Sequence, residues 1–325
     1  MNARKQHLMA WVTGRSYGLE LPERGAAVAV LADGADLEWL VKGGLVAPEG
    51  VVYAPSAAPV DGVTVVPYHG SFTEPGSEVQ LGEDFFLQVQ AYSIASFLAL
   101  LGPTVVRVAD GEDAEAFVAD AEQALHQGVW SEVLTNPAVQ LADVAVLGGR
   151  APQDGRSLRL YVGPDHGVRV GLLGTVLGKA DAGWEALEDS APDPSRIPGG
   201  RAAAEAVRER HWLARYHSAL QAVQSLRARG RQNVKVSGFG MRLNEGLELG
   251  AGAPDLCDPL APVLLESADE HYVYAPSTSR VFQAAPDTAR TLERVLVRPD
   301  ADDQDSPAVA EARRFLEAAA GRAVS

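Results

Sequence analysis

The chain has 325 residues, with 43 acidic against 28 basic side chains and a formal net charge of −15. An apolar fraction of 46% and a charged fraction of 22% are those of a globular protein, long enough for two or three folded units at roughly 100–200 residues each. The acidic balance argues against a general nucleic-acid or anionic-membrane binder, and the single cysteine, Cys257, excludes an internal disulfide and a Cys-based zinc site.

That cysteine usage fits a reducing cytoplasm. The N-terminal residues 1–16 hold no continuous apolar run of the kind a signal peptide needs. The longest apolar stretch, Ser93 to Val106, contains Gly102 and Pro103 and falls short of the ~20 residues a membrane span requires. No membrane partner is expected.

In chain order, Ala26–Leu31 reads as a buried strand ended by Asp33-Gly34. Leu37, Leu40 and Val41 lie at helical spacing before Gly43-Gly44. Val51–Tyr53 and Val63–Val66 read as strands. Asp84–Leu101, apolar nearly all round, reads as a buried helix, and Thr104–Val108 as a strand. Glu112–Gln127 is amphipathic, with Phe117, Ala121, Ala124 and Leu125 on one face and Gly128 as its stop. Val144–Leu147 closes an α/β unit over residues 1–150. Leu158–Val162 and Val168–Leu173 form a hairpin around Gly163, Pro164 and Gly167, and residues 189–200 read as a loop.

A long helix is predicted from Ala202 to Arg227, buried at Ala206, Leu213, Leu220 and Val223. Seven arginines against Glu205 and Glu209 give residues 201–231 a local charge of +5, a docking surface for an acidic partner through Arg208 and Arg215 or else a solvated face. Leu249–Pro262 reads as a linker. Beyond it come three short strands, Val263–Glu266, Tyr272–Tyr274 and Arg280–Gln283, with turns at 267–270 and 276–279. Pro286 opens a helix carrying Ala289, Leu292, Val295 and Leu296. After the acidic loop 300–305, Ser306-Pro307 starts a last helix with Val309, Ala312, Phe315, Leu316 and Ala319.

No catalytic constellation emerges. Gly14-Arg15-Ser16-Tyr17-Gly18 matches the nucleophile-elbow pattern, but Pro22 opposes the helix that must follow it. Gly171, Gly174 and Gly178 lack dinucleotide spacing, and Gly238-Phe239-Gly240 reads as a turn or tight packing site. The seven histidines form no HExxH; His211 and His217 sit on different helical faces, and Asp165-His166 falls in a turn. Cys257 shows no local activator. No metal, cofactor or catalytic residue is expected.

Tyr272–Leu292 (YVYAPSTSRVFQAAPDTARTL) resembles the PqqD-like RiPP recognition element, in which a "vYsp.tgrlf.lnptaa.il" pattern leads from the second and third strands into the first helix. The whole chain is similar to daptide biosynthesis RiPP recognition proteins. The resemblance implies a C-terminal winged-helix-like (βββααα) module over 255–325, although Asp302–Val309, where the family has its second helix, is mostly acidic and contains Pro307. The expected fold class is thus an α+β or α/β multidomain chain: the unit 1–150, a hairpin with helix and linker over 151–254, and the module. The implied function is non-catalytic: binding a ribosomal precursor (leader) peptide and presenting it to a tailoring enzyme such as an iron-dependent oxidative decarboxylase. Carried over by resemblance, the peptide would lie between the third strand and the last helix, against Arg280, Val281, Phe282, Gln283, Ala312, Phe315, Leu316 and Ala319. Edge-strand physics supports this, because a free strand edge invites pairing with an extended peptide. The alternative is a small-molecule-binding α/β enzyme with its site on the loops around Asp33, Pro67–Ser71 and Asp110–Asp113. Thirteen acidic and seven basic residues give 255–322 a charge of −6, so backbone pairing, apolar contacts and Arg280, Arg313 and Arg314 would have to hold an acidic leader.

Overall fold

A computed structural model describes residues 3–32, 36–55, 59–83, 85–150, 155–188, 199–298 and 306–319. Among them the chain is mixed α/β, with sixteen strands in three sheets and twelve helices. No helix among the described residues is long and apolar enough to cross a membrane. The chain divides into two compact units: Met1–Glu115 with Gln140–Ala206, and Ala116–Val139 with Val207–Ser325. These do not coincide with three consecutive segments meeting at residues 150 and 254.

The first unit opens with helix α1 (Ala3–Thr13), which the sequence reading did not anticipate. Strand β1 (Ala26–Leu31), helix α2 (Leu37–Lys42) and strands β2 (Val46–Ala54) and β3 (Thr64–Pro67) follow as predicted, β2 being longer. All six β1 residues are buried, because parallel neighbours flank it and both sheet faces are covered. Val28 and Val30 face one core with Leu8, Trp11 and Val12 of α1; Ala29 and Leu31 face another with Leu37 and Leu40 of α2. That alternation is the strand's two-residue period. The Trp11 indole N–H also donates to the Leu160 carbonyl at 2.7 Å.

Strands β4 (His69–Gly70), β5 (Glu78–Leu81) and β6 (Phe85–Ala91), the short helix α3 (Tyr92–Ala95) and strand β7 (Thr104–Arg107) come next. The predicted helix over Asp84–Leu101 is therefore corrected. Leu87 and Val89 are buried while Gln88 and Gln90 are only half-buried, a period-two pattern that builds a strand pairing with β5 and β7. Asp84 itself lies outside the described residues.

Helix α4 (Gly111–Gln127) buries Phe117, Ala121, Ala124 and Leu125 as predicted. It is followed by α5 (Glu132–Thr135) and β8 (Val139–Leu141), the last strand of the sheet β4-β5-β6-β7-β8. Residues 144–147, which close the predicted α/β unit, form turns. After α6 (Gly155–Leu158), the expected hairpin is β9 (Arg159–Val162) against β10 (Gly167–Arg169), extended by β11 (Val176–Lys179). Together these complete the sheet β11-β10-β9-β1-β2-β3. Helix α7 (Gly183–Glu188) follows; the predicted loop at 189–200 lies outside the described residues through 198.

The single long helix over 202–227 is also corrected. It is two helices, α8 (Gly200–Glu209) and α9 (Leu213–Arg227). They part where Arg210 turns its guanidinium onto Glu122 at 2.6 Å and Trp212 is buried.

In the second unit, β12 (Lys235–Ser237) and β13 (Gly240–Met241) meet through Gly238-Phe239, as the packing reading anticipated. Gly240 has φ +72°, and a Cβ there would lie 2.2 Å from the Gly128 nitrogen, so only glycine fits. Residues 249–262 are no linker. Helix α10 (Pro254–Cys257) buries Leu256 and Asp255, and Ala253 and Ala261 are buried too.

Strands β14 (Val263–Ser267), β15 (Glu270–Ala275) and β16 (Arg280–Ala284), then helices α11 (Pro286–Val297) and α12 (Pro307–Ala319), match the predicted elements. Residues 299–305 lie outside the described residues; they include half of the segment 302–309 where the family has its second helix, and Pro307–Val309 of that segment are the first residues of α12. The strands do not begin a separate body at residue 255. β14 pairs with β12, Ser267 donates to the Gln232 carbonyl at 2.7 Å, and α9 packs on the sheet beside Tyr274.

Candidate functional site

Among the described residues the sheet order β13-β12-β14-β15-β16 leaves β16 at the edge, paired only with β15. Its register sets Phe282 opposite Val273 and Val281 opposite Tyr274. Directly opposed residues share a face, so Phe282 faces the α11–α12 layer while Val281 turns with Tyr274 toward α9. On the helical side, Leu264, Val273, Leu292, Ala312 and Leu316 form a buried cluster that holds α11 and α12 to the sheet.

Between β16 and the two helices lies a groove of about 460 Å³. Its strand wall is Phe282, Gln283 and Ala284, and its floor is Val273 and Leu292. The α12 wall is Ala308, Glu311, Ala312 and Phe315, at the i, i+3, i+4, i+7 spacing of one helical face. The α11 wall adds Asp287, Thr288 and Thr291. Phe282 and Phe315 meet edge to face with ring centroids 6.0 Å apart, a favourable aromatic geometry. Phe282 is still 39% exposed.

Four of the eight residues assigned by resemblance thus line one groove: Phe282, Gln283, Ala312 and Phe315. The other four do not. Leu316 is buried beneath the groove, and the Ala319 carbonyl accepts the Ser277 hydroxyl at 2.7 Å. Arg280 is exposed at the start of β16, and Val281 lies on the opposite sheet face. The sequence reading missed Asp287, Thr288, Thr291 and Glu311, although the α12 stripe was readable from spacing alone.

Of the two docking arginines, Arg208 is exposed but Arg215 is not. The Arg215 guanidinium is buried and donates to the Ala261 and Pro262 carbonyls, the latter at 2.7 Å. Burial pushes it down to about 10, partly offset by Asp255 and Asp258, so it stays charged at neutral pH. It clamps the 259–262 loop and presents nothing to a partner.

A hydrogen-bonded chain anchors the groove from below. Arg242 forms a two-pronged pair with Asp255 at 2.7 and 2.9 Å, both side chains 3% exposed. Arg242 also donates to the Ser237 hydroxyl, which donates to Glu293 at 2.6 Å. The fully buried Glu293 carboxylate, on α11, accepts the backbone N–H groups of Leu243 and Asn244 at 2.7 Å each.

No family model matches the chain, and no curated protein or solved structure matches it.

The remaining sequence candidates fall into structural roles. Ser16 follows a helix, not a strand, and its carbonyl accepts the Leu19 N–H in a turn; the nucleophile-elbow geometry is absent. Cys257 is exposed. Asp113 accepts the Ser93 and Ala109 N–H groups. Asp33 lies outside the described residues. His211 meets the Ala251 carbonyl and His217 stacks on Phe117. Near the C-terminal end of β9, His166 meets the buried Asp36 carboxylate at 2.8 Å. No group of three His, Cys, Asp or Glu among the described residues is placed to hold a metal.

Proposed function

We propose that the chain is a non-catalytic recognition protein that takes up a segment of a ribosomal precursor peptide as an added strand on β16 and presents it to a tailoring enzyme. The observation carrying this reading is the coincidence of a sheet edge at β16 with an apolar groove walled by Phe282, Ala312 and Phe315. An extended peptide gains main-chain hydrogen bonds along such an edge, and alternate side chains drop into the groove. Among the described residues the groove walls are mostly apolar and small polar side chains, the surface an extended peptide packs against. In this reading, three antiparallel strands followed by helices form a winged-helix-like module of the PqqD-like RiPP recognition type. A partner such as an iron-dependent oxidative decarboxylase would supply the chemistry, in the cytoplasm.

The direct test is fluorescence anisotropy with the full chain and synthetic peptides copied from short open reading frames flanking its gene. Binding at micromolar Kd or better is expected for one of them. Failure of every such peptide would overturn the reading. The full chain is required, because β12, α9 and the Ser237–Glu293 contacts lie before residue 255 or bridge to it.

A second reading, small-ligand chemistry on the first unit, draws on the Asp36–His166 pair beside the parallel strands β1 and β9. Thermal stabilisation by a nucleotide or small metabolite, lost in Asp36→Asn, would favour it; turnover by no tested substrate and no stabilisation would sink it.

A further inference from the structure

The charges around the groove are one-sided. Among the described residues its lining includes Asp287 and Glu311 and no arginine or lysine. At Gln283–Ala285 it meets a second depression of about 410 Å³, whose ionisable lining is Asp269, Glu270 and His271. Glu270 is engaged by Arg231 at 2.8 Å and by the Tyr272 hydroxyl at 2.6 Å. Asp269 and Glu311 are exposed and make no ion pair among the described residues. Asp287 has a fully exposed carboxylate, and its nearest cation, Arg290, is 3.7 Å away on the same helix. The apolar walls Phe282, Phe315 and Leu292 are therefore rimmed by carboxylates with spare capacity for cations.

We propose that the segment held in this groove is apolar and basic: one bulky aliphatic or aromatic side chain seated against Phe282 and Phe315, with lysine or arginine on either side facing Asp287, Glu311 and Asp269. The inference rests on the peptide-recognition reading above and narrows its ligand class. Like charges at a rim oppose association, and complementary ones set register and speed encounter. An acidic segment would face three carboxylates with no arginine or lysine among the described lining residues to receive it. Arg280, Arg313 and Arg314 do not line either depression.

The test uses the full chain and three labelled twelve-residue peptides of alternating Val and Thr around a central Leu. They differ only in carrying three Lys, three Gln or three Glu at the same outer positions. The Lys peptide is expected to bind about 10-fold tighter than the Glu peptide, the difference shrinking as NaCl rises from about 50 to about 500 mM. Asp287→Asn with Glu311→Gln, both at exposed positions, should remove most of that preference. If the peptides bind in the order Glu above Lys, or without preference, and Phe282→Asp still abolishes binding, the charge inference is overturned and the peptide-groove reading survives. If none binds, or binding ignores Phe282→Asp, the reading falls and the inference with it.

Discussion

Phe282→Asp is expected to weaken binding of an extended peptide to the full chain by about 30-fold or more. Phe282 is the one large apolar side chain of β16 that faces the groove, and it remains 39% exposed. A peptide side chain pressed against it and Phe315 would bury both rings. Aromatic anchors in such pockets account for about 2 kcal/mol or more each, which converts to the stated factor. Aspartate removes that surface and leaves a charge that must be desolvated in the complex. The fold should tolerate the change, since charged residues are common on strand edges; loss of the edge contact with Phe315 is expected to lower stability by only about 1 kcal/mol. Anisotropy and chemical denaturation on one preparation separate the two effects. Arg208→Ala, at an exposed position outside the groove lining, is the control that should leave Kd unchanged. Peptide affinity unaltered by Phe282→Asp would remove the groove from the account.

The largest stability effect is expected at Arg242. Arg242→Met strips a buried two-pronged pair of its cation and leaves Asp255, 3% exposed, without its hydrogen-bonded partner and with only the Arg215 charge nearby. Breaking a buried pair from one side costs about 3–5 kcal/mol, whereas replacing both partners with apolar residues is often neutral. The double variant Arg242→Met with Asp255→Leu should therefore recover most of the loss. The single variant should also weaken peptide binding. It removes the donor that orients Ser237 toward Glu293, and Glu293 tethers α11, whose Leu292 floors the groove. Denaturation followed by circular dichroism checks this directly. A loss below about 1 kcal/mol would mean the pair is hydrated and no anchor.

The C-terminal strands and helices were legible because their signals are local. Residues 268 and 269 both adopt left-handed φ between β14 and β15, the requirement of a two-residue hairpin turn, and Pro286 sits at the first turn of α11. Errors came where distant partners decide the outcome. Residues 249–262 have the Gly, Pro and Asp content of a linker, yet Arg242 draws Asp255 inside. Arg215 looked like one of seven surface arginines until the Ala261 and Pro262 carbonyls supplied it with buried acceptors. Phe85–Ala91 merges in composition with the apolar run that follows it, although its own period-two alternation is that of a strand. The run beyond it leaves Phe97 and Leu101 each 85% exposed, the opposite of a buried helix. In the groove, resemblance supplied Phe282, Gln283, Ala312 and Phe315, while the acidic rim comes from residues whose charge has meaning only once β16, α11 and α12 are assembled.

In the proposed function a peptide adds to β16 as a strand. Isotope-filtered NMR on the deuterated full chain with a labelled bound peptide reads that geometry. The expected result is backbone contacts between the peptide and Arg280–Ala284 at antiparallel or parallel strand spacing, together with new protection of β16 amides from exchange. A bound peptide that makes no backbone contact with residues 280–284 and leaves their amides unprotected would contradict it.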